Sequence, residues 1–165
     1  MEIISPSCVH NVRTFYKEMS MPTEFTGIER RLDELSERLA RLQPLRGKAR
    51  FEFDGDPYLR DIVERNLEIA AQCCIDICHR IISLEGARKP VDYYDAILSM
   101  GELGVLPPEF ASHLAPLAGF RNILVHEYLL VDWDEVYRTL HHLEDLERFV
   151  ELAQAWLLQR RRDAG

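Results

Sequence analysis

No stretch of this sequence approaches the roughly 18 consecutive apolar residues of a membrane span, and no charged segment followed by an apolar one opens it. A soluble, cytoplasmic protein with no membrane partner is the expectation. Cysteine is scarce and poorly spaced for cross-linking: of four, three crowd at positions 73, 74 and 78, unlike the dispersed framework of a small secreted domain. Reduced thiols are expected. Positive charge is in deficit, with 20 Lys and Arg against 28 Asp and Glu. The net charge of −8 argues against holding nucleic acid by bulk electrostatics, because neutralising phosphates takes clustered cations. It also keeps a small protein dispersed. Any nucleic-acid chemistry must rest on local basic residues. A Gly-rich phosphate loop, a G-x-S-x-G elbow and an H-E-x-x-H pair are all missing, which sets those enzyme classes aside. Strand-like alternation is missing as well, apart from residues 50–53.

What is present is helical pattern, in a chain of 165 residues that is 47% hydrophobic, enough for one domain with a real core. Residues 1–27 carry Pro6, Pro22 and Gly27 and no sustained period, so a flexible N-terminal extension is expected, with Met21 as a candidate second start. Ile28, Leu32, Leu35, Leu39 and Leu42 follow a 4-3-4-3 spacing that predicts an amphipathic helix ending before Pro44. Residues 47–55 read as a loop with two Phe, and Asp56-Pro57 as the N-cap and first residue of a second helix. That helix runs to about Leu84. It is apolar around more than one stripe, so it is expected between neighbours, and Gly86 stops it. A shorter helix spans about 93–103 and is closed by Gly104. A fourth starts near Glu109, and a fifth runs from Trp133 to the basic end Arg160-Arg161-Arg162, with Asp132 and Glu135 as its capping box. The fold class is therefore all-α, an up-and-down bundle of four or five helices over residues 28–160, with 161–165 as a tail.

Two clusters invite a functional reading and have a plainer one. Cys74 and Cys78 share a helix face beside Cys73 and His79, but no second ligand pair exists, so the thiols are expected as small core hydrophobes and no metal is predicted. His141 and Asp145 lie one turn apart next to His142, a spacing common on solvated helix faces.

Residues 121–128 read Arg-Asn-Ile-Leu-Val-His-Glu-Tyr and place a guanidinium, an amide, an imidazole and a phenol within about two helical turns. Projected on a helix, Leu117, Phe120 and Leu124 form a core stripe. Ala115, Gly119, Asn122 and His126 form a second one, small and then hydrogen-bonding, which admits a partner helix or ligand at close range. Arg121 and His126 are about 140° apart on a straight helix. To act together they need a bend or a second chain, and a two-fold axis beside Asn122 and His126 would gather both copies in one cleft. The plainer reading pairs Arg121 with a core-edge acid and has His126 cap a buried polar spot.

The R-x-x-x-x-H-x-Y spacing with Asn122 after Arg121, together with the helix layout, resembles the HEPN superfamily, and in particular the HepT-like toxins. The likeness covers about residues 28–158. It includes Glu-Arg-Asn-Leu-Glu-Ile-Ala and Ile-Asp-Ile-Cys-His-Arg-Ile-Ile of the second helix, the Tyr93-Tyr94 helix, Gly-Val-Leu-Pro, and Phe-Arg-Asn-Ile-Leu-Val-His-Glu-Tyr. The resemblance implies a HEPN-like bundle dimerising through the motif helix. It implies the toxin of a type VII toxin-antitoxin system, a metal-independent endoribonuclease that needs no cofactor. Arg121, Asn122 and His126 occupy the family's catalytic positions. Tyr128 matches the tyrosine adenylylated by the partner, a minimal nucleotidyltransferase antitoxin of the MntA-like kind. The implied partners are thus a second copy, RNA and that antitoxin. The alternatives are a non-catalytic HEPN nucleotide-binding or scaffolding subunit of a nucleotidyltransferase complex, which the acidic charge favours, and a dimeric helical adaptor whose polar stripe sets register.

Overall fold

The structure, a computed structural model, describes residues 23–126, 129 and 131–164. Most of the expected N-terminal extension, Met21 and Tyr128 lie outside the described residues. Among those described there is no strand, and the chain is all-α.

Helix α1, Thr26–Leu42, buries Ile28, Leu32, Leu35, Leu39 and Leu42, the stripe its spacing predicts. The core begins slightly earlier, because a 3-10 turn at Thr23–Phe25 also buries Phe25. The loop expected at 47–55 contains a helical turn. Residues Arg50–Asp54 form a short helix, α2. Its start is held by the Glu52 carboxylate, which accepts the Ala49 N–H at 2.6 Å. Phe53 anchors it, fully buried 5.5 Å from the Trp133 ring and 5.8 Å from that of Tyr137. One turn of helix is too short to show a period, so aromatic burial rather than propensity makes it.

Helix α3, Pro57–Leu84, has the bounds its sequence predicts. Asp56 caps it by accepting the Leu59 N–H at 3.1 Å. It is the axis of the fold, packing on helices from both ends of the chain. That is why Val63, Leu67, Ala70, Ile75, Ile77 and Ile81 are buried around more than one face. Gly86 at φ +61 ends it, with the Gly86 N–H on Ser83 O and the Ala87 N–H on Ile82 O. Helix α4, Tyr93–Glu102, ends in the same way at Gly104, φ +72, with Val105 N–H on Met100 O. Both are left-handed caps that a side chain would strain, and they satisfy carbonyls the helix leaves open.

The single fourth helix expected from Glu109 is two: α5, Pro108–Leu114, and α6, Leu117–His126. Pro116 separates them, since it lacks the N–H that would bond to Ser112 O and its ring crowds that carbonyl. The expected fifth helix is also split, into α7, Trp133–His141, and α8, Glu144–Ala164. No glycine or proline marks this second break. The chain tightens at His142, whose N–H bonds Thr139 O, and drives Leu143 fully into the core. Asp132 caps α7 through the Asp134 N–H at 2.8 Å, and among the described residues Glu135 makes no reciprocal side-chain bond. Helix α8 continues past position 160, with Arg161 buried against Glu29 and Arg160 paired with Glu85. The basic end is thus tied into α1 and the end of α3 rather than left as a tail.

Candidate active site

Helix α6 lies on α3 and α4. Ala118 and Phe120 are buried, while Leu117 and Leu124 pack half-buried at the core's edge. The opposite side is open, with Pro116, Gly119, Asn122 and His126 exposed in a row. A Cβ added at Gly119 would meet nothing within 4 Å. Ala115 does not belong to this row as the unbroken helix implied. It precedes the proline break and is fully buried, because Pro116 shifts the register between α5 and α6.

Arg121 stands between core and solvent. Its Nη1 donates to Asn122 Oδ1 at 3.2 Å, and its guanidinium carbon lies 5.5 Å from the centre of the Tyr93 ring on α4. Its Nε is buried without a hydrogen-bond partner. No carboxylate among the described residues pairs with it, so the core-edge acid of the plainer reading is not found among them. Tyr93 is in turn packed edge-on by His79 of α3, ring centres 5.7 Å apart at 80°. His126 is the last residue of α6 and is exposed. Among the described residues no hydrogen bond joins it to Arg121 or Asn122. Arg121 and Asn122 are therefore brought together, and His126 is presented separately further along the same helix.

Sequence reasoning missed Tyr93 as the neighbour of Arg121 and His79 as the neighbour of Tyr93. They lie on two other helices, and nothing local announces the contact. Cys73, Cys74 and Cys78 are buried core residues, as expected of small hydrophobes, and burial pushes the Cys73 thiol up to about 11 and those of Cys74 and Cys78 well above the usual range. Asp145 does not pair with His141. It meets His113 Nε2 of α5 at 2.8 Å, while His141 bonds its Nδ1 to Tyr137 O at 2.9 Å. The break at His142 pulls the one-turn neighbours apart. No group of three His, Cys, Asp or Glu side chains among the described residues is placed to hold a metal. No helix among them is long and apolar enough to cross a membrane.

An all-α bundle that presents an Arg-Asn pair and a following His along one solvent-facing helix is a HEPN-type domain. More narrowly, the chain belongs to the HepT-like ribonuclease family, whose model, Ribonuclease HepT-like, matches residues 28–153. A tRNA nuclease HepT of Aphanizomenon flos-aquae is 33% identical over 98 residues, 59% of this chain and 67% of that protein. An mRNA nuclease HepT of Shewanella oneidensis is 30% identical over 105 residues, 63% and 79% of the two chains. Among solved structures, the tri-AMPylated HEPN toxin of Shewanella oneidensis in complex with an MNT antitoxin matches with a TM-score of 0.71. The two are 27% identical, over 82% of this chain and 99% of that one.

Proposed function

We propose that this protein is the toxin of a HepT/MntA-like toxin-antitoxin pair and a metal-independent endoribonuclease acting in the cytoplasm as a homodimer. The observation that carries this reading is the open row on α6. Asn122 and His126 face solvent beside a Gly119 that leaves room for a second chain, and the Arg121 guanidinium lies at its edge with no carboxylate partner among the described residues.

The RNA's own 2′-hydroxyl is the nucleophile. It attacks the adjacent phosphorus, and His126 takes its proton as general base. The bond from phosphorus to the 5′-oxygen breaks, and that oxygen leaves with a proton from a second His126, which the two-fold axis supplies. Arg121 stabilises the charge gathering on the phosphoryl oxygens, and Asn122 orients the phosphate through the amide N–H groups it does not need for Arg121. The products are a cyclic phosphate and a 5′-hydroxyl, and no cofactor enters. Helical geometry supports the composite site, since Arg121 and His126 diverge by about 140° on a straight helix and a second chain can supply the complementary copy.

Control is proposed at Tyr128. A nucleotidyltransferase antitoxin would adenylylate its phenol, and the AMP groups would block RNA by bulk and negative charge. Two measurements test this function. Wild type, Arg121→Ala and His126→Ala are compared on RNA, where loss of cleavage in both variants is expected and equal cleavage by all three refutes the enzyme. Mass spectrometry after co-expression with the adjacent gene product should find AMP on Tyr128, and an unmodified tyrosine refutes the switch. The net charge of −8 favours a second reading, a non-catalytic scaffold for the nucleotidyltransferase. It predicts tight complex formation that neither variant disturbs and no cleavage by any of the three.

A further inference from the structure

Several arginines among the described residues are neutralised: Arg31, Arg38, Arg50, Arg60, Arg88 and Arg160 each pair with a carboxylate. Among the described residues, Arg121 meets the Tyr93 ring, 5.5 Å from its guanidinium carbon, and bonds to Asn122, with no carboxylate beside it. An aromatic ring attracts a cation through its quadrupole and fixes its position, yet it carries no net charge and takes no hydrogen bond from the guanidinium fork. A carboxylate at that place would hold Arg121 equally well and occupy the donors a phosphate needs. The His79 ring, edge-on at 80° with its Nε2 buried and unbonded, backs the tyrosine from α3. The tyrosine is thus packed between the central helix and the arginine, on an element that shares no sequence neighbourhood with the motif.

We propose that Tyr93, backed by His79, is a positioning residue that holds Arg121 for phosphate without neutralising it. This rests on the reading of Arg121 as catalytic. The role belongs to the ring face and not to the phenol hydroxyl, so the conservative variant separates it from general packing.

The test measures kcat and KM of the full chain for bulk tRNA and for a synthetic single-stranded RNA, well below the melting temperature of each variant. Tyr93→Phe keeps the ring and should stay within about twofold of wild type. Tyr93→Leu should lower kcat by about 5- to 30-fold with little change in KM, because the lost contact acts on charge developing in the transition state. Tyr93→Met replaces it should the leucine variant not fold. On the residual cleavage of an Arg121→Ala background, read in single-turnover assays at high enzyme concentration, the same change should cost nothing further, since the group it positions is gone. The proposal is overturned if Tyr93→Leu cleaves like wild type, if Tyr93→Phe is as impaired as Tyr93→Leu, or if the loss is undiminished without Arg121. If Arg121→Ala itself cleaves like wild type, the catalytic reading fails and takes this one with it. An impaired Arg121→Ala beside a fully active Tyr93→Leu sinks the positioning role alone.

Discussion

Gly119 separates the packing of one chain from the assembly of two. It sits in α6 at an exposed position, and a Cβ built on it meets nothing within 4 Å. No positive φ is required there, since Gly86 and Gly104 are the glycines that adopt one among the described residues. Within a single chain, Gly119→Ala therefore relieves the entropic penalty of a helical glycine at no steric cost, a gain of about 0.5–1 kcal/mol. For a chain of 165 residues that raises Tm by about 1–4 °C. Gly119→Leu should gain somewhat less, as leucine is only slightly poorer than alanine in a helix. If two α6 helices approach each other across Gly119, the same leucine lands in the interface. Overpacking costs about 1–3 kcal/mol per site, and both copies face the axis. The dimer dissociation constant should then rise at least about tenfold. Sedimentation velocity over a concentration series reads association, and urea unfolding at high dilution reads the chain alone. Raised stability with weakened association is the expected pair of results. A leucine variant that associates like wild type refutes close approach at Gly119, and one that unfolds more easily at high dilution refutes the open space above it.

Phe53→Ala should cost about 3–5 kcal/mol in urea unfolding, because the side chain is fully buried between Trp133 and Tyr137; a loss under about 1 kcal/mol would mean that α2 is not docked. Gly101→Val should lower Tm by several degrees, since even a Cβ there stands 3.1 Å from Pro108 Cα and 3.2 Å from Ala111 Cβ; an unchanged melt would contradict the tight α4–α5 contact. In a Cys8→Ser background, iodoacetamide at pH 8 should label the native protein slowly. Burial raises the Cys73 thiol from 9.0 to about 11, so thiolate is scarce and what this thiol contributes to stability is lost as pH rises from 9 toward 11. Rapid native labelling would refute that burial. Asp95 is held down to about 2 from 3.8, first by its hydrogen bond from Arg88 and then by the Val91 N–H. Its contribution is present above pH 3.8 and fades as pH falls through 2, so the gap in urea midpoint between wild type and Asp95→Asn should narrow over that window. A gap that stays constant with pH would refute the assignment.

The sequence by itself determined the elements whose signals are local. A hydrophobic stripe gives α1 the residues it buries, Asp56-Pro57 and Gly86 set both bounds of α3, and Gly104 closes α4. The order Arg-Asn then His within one helix was also legible, because chemistry-bearing side chains in an apolar run stand out without any fold. The break at Pro116 was legible as well, as that proline is plain in the sequence, and reading through it misplaced Ala115. Only the tertiary structure decided the rest. Helix α2 is too short to carry a period and exists because Phe53 is buried. The break at His142 has no local marker and follows from burying Leu143. Asp145 finds His113 rather than the histidine one turn away. Tyr93 meets Arg121 because α4 and α6 both lean on α3. Periodicity and capping are properties of a few consecutive residues, whereas which helix faces which depends on how all the apolar faces are buried at once. The motif could therefore be read from the chain, and the aromatic ring that meets its arginine from another helix could not.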